Sequence, residues 1–176
     1  MNHTLEPSPK LTIRPATGAD LAALRALPFS GGLPSMHDEK YVRQVAGDVV
    51  YLLAFVEDEI VGHLLLKLHG PEHPRIRSLA PSCAEIEDFV VKPELRGQGI
   101  GSAMLEHAIN LCLDRGVVRL GLGIGLGNPS ARGLYERRGF ALVPRSTHRV
   151  TWMARDSQGS EIKEHEDCVY LIKELS

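Results

Sequence analysis

The chain contains 176 residues, of which 43% are hydrophobic and 24% charged, and its formal net charge is −2. This length and composition are typical of a single globular domain with a substantial core. The slightly acidic balance argues against a nucleic-acid-binding surface, which usually carries a basic excess. No apolar run reaches the ~18 residues that a membrane helix requires. We therefore expect neither nucleic acid nor membrane among the partners.

The three cysteines, Cys83, Cys112 and Cys168, are far apart in the chain and odd in number. This usage predicts reduced thiols in a cytoplasmic protein, because disulfide frameworks use paired cysteines in oxidising compartments. The histidines nearest to a cluster fall between His63 and His73, without the close spacing of metal ligands. We expect no bound metal.

Residues 1–10 are polar and contain two prolines, so we expect a flexible lead-in before one domain over residues 11–176. Apolar periodicity and turn residues predict strands at 11–14, 51–57 and 60–68 and helices at 20–27 and 37–46. Residues 70–82 contain three prolines and are predicted to form a long surface loop. Loops of this length are often functional, which makes this one a candidate lid over a ligand.

The central unit of the chain is a strand, a glycine turn and a helix. An apolar, β-branched run predicts a buried strand at residues 86–91, and apolar residues at helical spacing predict a helix at 100–116. Between them, Gly97, Gly99 and Gly101 allow a sharp turn that leaves backbone N–H groups free at the helix N-terminus. Such a turn favours a phosphate or pyrophosphate group.

Two better-known glycine motifs do not fit this turn. The Walker loop requires a lysine after its second glycine, whereas Gly101 is followed by Ser102 and Ala103. The dinucleotide fingerprint requires G-x-G-x-x-G and an acidic residue about 20 positions later. Here the turn reads G-Q-G-I-G, and Asp114 comes too early. What remains is an anion site to which Arg96 and Ser102 add donors at the rim.

Residues 91–101, which read VKPELRGQGIG, resemble the acetyl-coenzyme A (acetyl-CoA) motif of the GNAT family of N-acetyltransferases, Arg/Gln-x-x-Gly-x-Gly/Ala. The preceding residues 86–89, IEDF, fit the acidic and apolar strand that leads into that motif. Residues 127–131 and 134–140 resemble the family's second signature. The resemblance implies a mixed α/β (α+β) fold with a mostly antiparallel sheet of roughly six or seven strands and about four helices. In that fold the sheet is splayed between its two central, parallel strands.

By this resemblance, acetyl-CoA is the co-substrate. The residues assigned to its binding are Phe89, Val90, Val91, Arg96, Gly97, Gln98, Gly99, Ile100, Gly101, Ser102 and Asn128. The pyrophosphate lies at the glycine turn and the pantetheine arm along the strand, where a backbone N–H near Val91 polarises the thioester carbonyl. Tyr135 matches the family tyrosine that protonates the departing thiolate, the alternative being core packing alone. Asn128 bonds the cofactor arm, caps a helix, or does both.

An acceptor amine with a pKa of ~10.4 is protonated at pH 7, so some group must remove its proton. Glu87 is the candidate base, since some members of the resembled family use a glutamate at this position. Strand alternation places Glu85 and Glu87 on the face shared with Phe89 and Val91, and two close carboxylates raise each other's pKa. The alternative is that Glu87 and Asp88 form structural ion pairs or bind a cationic acceptor.

In the C-terminal part, the sequence predicts a strand with one bare face, meaning a face whose residues are mostly glycines without side chains. Apolar residues over 118–126 alternate mainly with glycines, so either a helix packs closely there or the space lies beside the cofactor arm. The other predicted elements are a helix at 129–138, preceded by Asn128 as its N-cap, and strands at 140–143 and 169–172. The connection 144–167 is predicted to be a long loop with a strand around 149–154. Its acidic second half is either solvated or attracts a cationic acceptor.

Together these features predict a cytoplasmic N-acetyltransferase that moves the acetyl group of acetyl-CoA to a primary amine by direct attack. The two long connections favour a small-molecule acceptor, and a protein N-terminus or lysine is the alternative. A different class, an acyl-CoA sensor without turnover, is disfavoured because Glu87, Asn128 and Tyr135 occur together. Homodimers are common in the resembled family.

Overall fold

The computed structural model describes residues 9–176, which form one eight-stranded sheet with five α-helices. The strands are β1 Leu11–Pro15, β2 Val49–Val56, β3 Glu59–Lys67, β4 Ala84–Val91, β5 Arg119–Gly125, β6 Ala141–Leu142, β7 His148–Arg155 and β8 Glu161–Glu174. The helices are α1 Leu21–Arg25, α2 Ser35–Ala46, α3 Pro74–Leu79, α4 Ile100–Asp114 and α5 Pro129–Arg137. The predicted mixed α/β class is confirmed. Most of the predicted lead-in, residues 1–8, lies outside the described residues.

The sheet has the order β1-β2-β3-β4-β5-β8-β6, and β7 pairs with the other end of β8. Every neighbouring pair is antiparallel except β4 and β5, which are parallel. That parallel pairing covers only Ala84–Ile86 on β4 and Leu120–Leu122 on β5. Beyond these residues the two strands separate, so the predicted splay lies in the middle of the sheet.

Each face of the sheet has its own core, because side chains alternate along the strands. On β2, Leu52 and Ala54 belong to the larger core, which α4 covers with Met104. Tyr51 and Leu53 belong to the second core, which α1 and α2 cover. A membrane-spanning helix is not present among the helices of residues 9–176.

A β-bulge interrupts β4 at its centre. The pairing of β3 with β4 loses register between His63 and Leu65, so that Leu64 on β3 faces two residues, Asp88 and Phe89, on β4. Asp88 has a φ of 50°, which lies in the left-handed region that non-glycine residues seldom adopt. The extra residue reverses the alternation of the strand beyond it.

This reversal corrects one expectation from the sequence. Phe89 and Val91 pack against the core beneath α4, whereas Glu85 and Glu87 pair with Lys67 on the opposite face. The prediction that the two glutamates share a face with Phe89 and Val91 is therefore wrong. Strict alternation cannot anticipate an inserted residue.

The proline-rich connection 70–82 contains helix α3, so the prediction of a long irregular loop is wrong there. Pro74 occupies the first turn, where its missing N–H costs no helical hydrogen bond. Ile76 is buried beside Tyr170 of β8, and the Arg75 guanidinium donates two hydrogen bonds, of 2.6 and 3.1 Å, to the Arg145 carbonyl. These contacts hold the segment against the sheet.

The second long connection is mostly a β-hairpin. Strand β7 agrees with the strand expected around 149–154, but β8 begins at Glu161 instead of residue 169. The acidic stretch is therefore an exposed strand and not a loop. Arg149 supports this pairing, since its guanidinium donates 2.9 and 3.2 Å hydrogen bonds to the Asp167 carboxylate across the two strands.

Candidate active site

The glycine turn leads into α4 with its backbone in left-handed conformations. Gly97 has a φ of 77° and Gly99, the residue before the helix, a φ of 87°. A side chain added at either position would meet no described atom within 4 Å, so the space outside the turn is open. No side chain of residues 9–176 caps α4. The first-turn N–H groups are therefore available to a ligand, together with the positive end of the helix dipole.

A cavity of about 670 Å³ begins at this turn. It is lined by Phe89, Val90, Val91, Leu95, Arg96, Gly97, Gly99, Ile100, Gly101, Ser102, Leu105, Asn128, Ala131, Leu134, Tyr135 and Arg138. All the residues assigned to the cofactor from sequence line it except Gln98, which lies between the two left-handed glycines. The structure thus brings the two sequence signatures to one cavity.

The edge of β4 that faces this cavity has no partner strand after Ile86. On its other edge, Val90 and Val91 remain paired with His63 and Gly62 of β3. A side chain at Gly62 would lie 3.0 Å from the Val90 carbonyl oxygen, so glycine permits this close pairing beside the bulge. The free edge can accept an extended ligand arm as an additional strand.

Arg138 is a cavity residue that the sequence reasoning missed. It follows α5, and its guanidinium donates a hydrogen bond to Ser102 Oγ in the first turn of α4. This contact places a permanent positive charge beside the free N–H groups of that turn. Arg138 could have been identified from the sequence, because it lies inside residues 134–140, which resemble the second family signature. The apolar wall formed by Leu95, Leu105 and Leu134 was missed as well.

A second, smaller cavity of about 320 Å³ lies where β4 and β5 separate. Its lining includes carboxylates and a histidine from β4, β7 and β8: Glu85, Glu87, Asp88, His148 and Glu166. It shares Phe89, Asn128, Ala131 and Tyr135 with the larger cavity, so the two meet at the splay.

Tyr135 lies at this junction. Its ring packs edge-on against Phe140, with centroids 5.5 Å apart, and contacts the larger core. Burial raises the pKa of its phenol to about 12, although the charge of Arg138 opposes the shift. Tyr135 therefore packs in the core and also borders both cavities as a protonated hydroxyl. Asn128, beside it, caps α5 by accepting a 3.1 Å hydrogen bond from the Ala131 N–H, as predicted.

The bare face of β5 is opposite the face whose side chains, Leu120, Leu122 and Ile124, belong to the larger core. Side chains of β7 and β8 cover it: the Tyr170 ring lies over Gly121, His148 over Gly123, and the Glu166 carboxylate over Gly125. The nearest atoms over these glycines thus belong to strands and not to a helix, and the expectation that this face lies beside the cofactor arm stays a prediction. The glycines of β5 make room for side chains that line the smaller cavity.

Glu87 takes part in an ion-pair cluster around the buried Lys67. Lys67 Nζ lies 3.0 Å from Glu87 Oε2 and 3.1 Å from Glu85 Oε2, and the Lys67 side chain is only 5% exposed. Burial raises the pKa of the Glu85 carboxyl, although Lys67 opposes the shift. The Glu87 side chain stays 46% exposed. The structural ion pair anticipated as the alternative is present, and the role of Glu87 as a base stays a prediction.

Asp88 is held from the α2 side of the sheet. Its carboxylate forms an ion pair with Lys40, and its backbone carbonyl accepts a 3.1 Å hydrogen bond from His63 Nδ1. His63 Nε2 in turn accepts the hydroxyl of Ser30 at 2.8 Å. Burial alone would raise the pKa of the Asp88 carboxyl, but its interactions with His63 and Lys40 outweigh burial and lower it. The polar network thus secures the bulge.

The three cysteines are free and buried, which agrees with the reduced state expected from sequence. Burial raises the pKa of the thiols of Cys83, Cys112 and Cys168. Within residues 9–176, no three histidine, cysteine, aspartate or glutamate side chains form a group that could hold a metal ion.

A family model described as "Acetyltransferase (GNAT) family" matches residues 20–140. The chain belongs to the GNAT family. A ribosomal protein bS18-alanine N-acetyltransferase of Escherichia coli is 40% identical over 70 residues, 39% of this chain and 47% of that protein. A thialysine N-ε-acetyltransferase of Bos taurus is 43% identical over 54 residues, 31% of this chain and 32% of that protein. Each alignment thus spans less than half of the relative's length.

Solved GNAT structures share the fold over nearly the whole chain. The ribosomal-protein-alanine N-acetyltransferase of Brucella melitensis superposes with a TM-score of 0.63 and 26% identity, covering 93% of this chain and 99% of that one. The PaiA N-acetyltransferase of Thermoplasma acidophilum, solved in complex with coenzyme A, superposes with a TM-score of 0.64 and 18% identity, covering 94% and 99%.

Proposed function

We propose that this GNAT protein is an acetyl-CoA-dependent N-acetyltransferase that acetylates a primary amine by direct attack. The observation that carries the proposal is the junction at Tyr135, where the cavity of the glycine turn meets the smaller cavity of the opposite face. A thioester donor and an amine acceptor would meet there from two sides of the sheet. Membership of the GNAT family supports this reading.

The larger cavity supplies the contacts that acetyl-CoA requires. The open turn from Gly97 to Ser102 and the guanidinium groups of Arg96 and Arg138 suit its pyrophosphate. The pantetheine arm, which is rich in amides, suits the unpaired edge of β4 at residues 89–91. An N–H of that edge near Val91 would polarise the thioester carbonyl and stabilise the oxyanion that forms on attack.

The transfer forms one bond and breaks one. The amine nitrogen attacks the thioester carbon, and collapse of the tetrahedral intermediate leaves the electron pair of the carbon–sulfur bond on sulfur. Tyr135 protonates this thiolate and regains a proton from the acylated nitrogen. Its raised pKa of about 12 keeps the hydroxyl protonated at neutral pH, so it enters the reaction in the form that can donate.

Glu87 lines the acceptor cavity, where its half-exposed carboxylate can attract an ammonium group. Glu87 was predicted to be the base, but its carboxylate already forms a 3.0 Å ion pair with Lys67. That pair favours the alternative role, in which Glu87 binds the cationic acceptor.

The acceptor cavity, of about 320 Å³, suits a small-molecule amine. An acceptor on a protein is the second candidate, supported by the ribosomal-protein enzymes among the relatives. The buried, unpaired cysteines support a cytoplasmic location. A homodimer is proposed from family resemblance alone.

Two measurements on the purified chain test the function. Titration calorimetry with acetyl-CoA should show saturable binding at one site. Incubation with acetyl-CoA and a panel of amines, including polyamines, amino acids and peptide N-termini, should release coenzyme A for at least one acceptor. Tight cofactor binding without turnover on the whole panel would point instead to an acyl-CoA sensor. A folded sample that binds no acetyl-CoA would refute both.

A further inference from the structure

His148, at the start of β7, lies beside the junction of the two cavities. It lines the acceptor cavity together with Tyr135, although only 8% of its surface is exposed. Its Nε2 atom lies 3.5 Å from the position that a side chain on Gly123 would occupy. The absence of a side chain on this β5 residue therefore gives the imidazole access to the space between the separated strands.

The hydrogen bond on the other side of the ring defines its tautomer. His148 Nδ1 lies 2.8 Å from the backbone carbonyl oxygen of Ser146. A carbonyl can only accept a hydrogen bond, so Nδ1 carries the proton in the neutral ring. Nε2 then holds a lone pair, and it lies over Gly123, a residue that also lines the acceptor cavity.

Several charged or titratable groups lie near this imidazole or line the same cavity. They are His73 before α3, Arg75 on α3, Glu87 and Asp88 on β4, and Glu166, Cys168 and Tyr170 on β8. Burial lowers the pKa of His148, the neighbouring His73 and Arg75 add to the shift, and the hydrogen bond to the Ser146 carbonyl opposes it. The ring is therefore neutral at pH 7, which is the form a base requires.

We infer that His148 is the general base that removes a proton from the acceptor ammonium. The inference rests on the proposed acetyl transfer. His148 Nε2 takes one proton from R–NH3⁺ and becomes imidazolium, and the neutral amine attacks the thioester carbon. The proton later passes from the imidazolium to solvent. Glu87, paired with Lys67, and the Glu166 carboxylate provide negative charge in the same cavity, which stabilises first the ammonium and then the imidazolium.

A variant that keeps the hydrogen bond to the Ser146 carbonyl but lacks a basic nitrogen distinguishes a role of His148 as base from a role in packing. In His148→Asn the side-chain amide can still donate to the Ser146 carbonyl, but no basic nitrogen remains. The matched control is His165→Asn, on the exposed part of β8. Both variants should retain the thermal midpoint of the wild type within about 4 °C and the same affinity for acetyl-CoA.

The two acceptors compared are Nα-acetyllysinamide, whose side-chain amine has a pKa of ~10.4, and alaninamide, whose α-amine has a pKa of ~7.7–8.0. With Nα-acetyllysinamide, kcat/KM of His148→Asn at pH 7 should be about 100-fold or more below the wild type, because a general base usually contributes that much. With alaninamide the loss should be several-fold smaller, because a larger fraction of this amine is already neutral at pH 7. The variant's rate should rise with pH towards the pKa of each amine, and His165→Asn should match the wild type.

Nitrogen NMR of the ring provides a readout that does not require turnover. The ring signals of His148 are assigned as those that disappear from the spectrum in His148→Asn. At pH 7 they should be the signals of a neutral ring protonated at Nδ1. Equal losses with both amines and an unchanged pH profile would overturn the inference, as would a ring protonated at Nε2. If the wild type acetylates no amine in the panel, the proposed function itself fails, and His148 as a base fails with it.

Discussion

His63 Nδ1 lies 3.1 Å from the backbone carbonyl oxygen of Asp88, a residue held with a φ of 50°. This hydrogen bond joins β3 to the bulge of β4, and Ser30 completes the arrangement by donating its hydroxyl to His63 Nε2 at 2.8 Å. The bulge directs Phe89 and Val91 towards the larger cavity, while Glu87 lines the smaller one. A left-handed non-glycine residue costs about 1–2 kcal/mol, which the surrounding contacts must offset.

His63→Ala should lower the free energy of unfolding by about 2–4 kcal/mol. It leaves a cavity at a fully buried site and removes the partner of both the Asp88 carbonyl and the Ser30 hydroxyl. Urea denaturation followed by circular dichroism measures the change. His69→Ala, at an exposed position, should stay within about 0.5 kcal/mol of the wild type. A similarly small effect of His63→Ala would show that the bulge is stable without this hydrogen bond.

Gly99→Glu should weaken acetyl-CoA binding at least ~100-fold, because it adds a negative charge where the anionic pyrophosphate would contact the helix N-terminus. The matched control is Gly159→Glu in the β7–β8 turn. Gly159 has a φ of 80°, and a side chain there would also meet no described atom within 4 Å. The control therefore carries a similar backbone strain away from the cavity and should leave binding unchanged in calorimetry. If both variants lose the same affinity for acetyl-CoA, backbone strain and not the added charge causes the effect.

Arg138→Ala should raise the Kd for acetyl-CoA about tenfold, since a charge-assisted contact contributes roughly 1.5–3 kcal/mol. The slope of log Kd against log salt concentration should also fall, because one positive charge near the phosphates is lost. Arg137→Ala removes the neighbouring charge, which does not line the cavity, and serves as the control. If the two variants bind alike, Arg138 has no specific role in cofactor binding.

Tyr135→Phe should lower kcat about 100-fold or more and change the Kd for acetyl-CoA little. The ring packing on Phe140 is retained, and only the hydroxyl that would protonate the thiolate is lost. Tyr41→Phe, on the partly buried face of α2, is the matched control. Steady-state kinetics with the best acceptor of the panel provide the test. Wild-type turnover in Tyr135→Phe would leave the tyrosine with a packing role alone.

Asp20 should make the fold sensitive to acid. Its carboxylate accepts hydrogen bonds from the Arg14 guanidinium at 2.8 and 2.9 Å and from the Thr17 N–H at 2.7 Å. Arg14 is the main cause that lowers the pKa of Asp20 to about 2. A lowered carboxyl pKa stabilises the fold above the unfolded-state value of ~3.9, and this contribution disappears as pH falls towards 2.

The contribution of Asp20 amounts to about 2 kcal/mol at neutral pH. Asp20→Asn should therefore be less stable than the wild type at pH 7, and the difference should shrink between pH 4 and pH 2. Denaturation midpoints across this range measure the effect. A difference that stays constant with pH would assign the loss to the hydrogen bonds and not to the charge.

Local patterns explain what could be predicted from sequence. The glycines at 97, 99 and 101 and the apolar spacing that follows form one continuous stretch, residues 97–116, so they specify the turn and α4 without help from the rest of the chain. The same holds for the Asn128 cap of α5. For this reason the lining residues on β4 and in the glycine turn were predicted, whereas Arg138 and the apolar wall were not.

The sequence by itself thus determined the strand, glycine turn and helix that border the larger cavity, and with them the family. The tertiary structure decided the smaller cavity, because its contacts join residues distant in the chain. The bulge at Asp88 depends on the register with β3, Glu87 is paired with Lys67, and His148 reaches the splay only because Gly123 lies opposite. Pairing between strands has no local signature, so no periodicity could have shown these contacts.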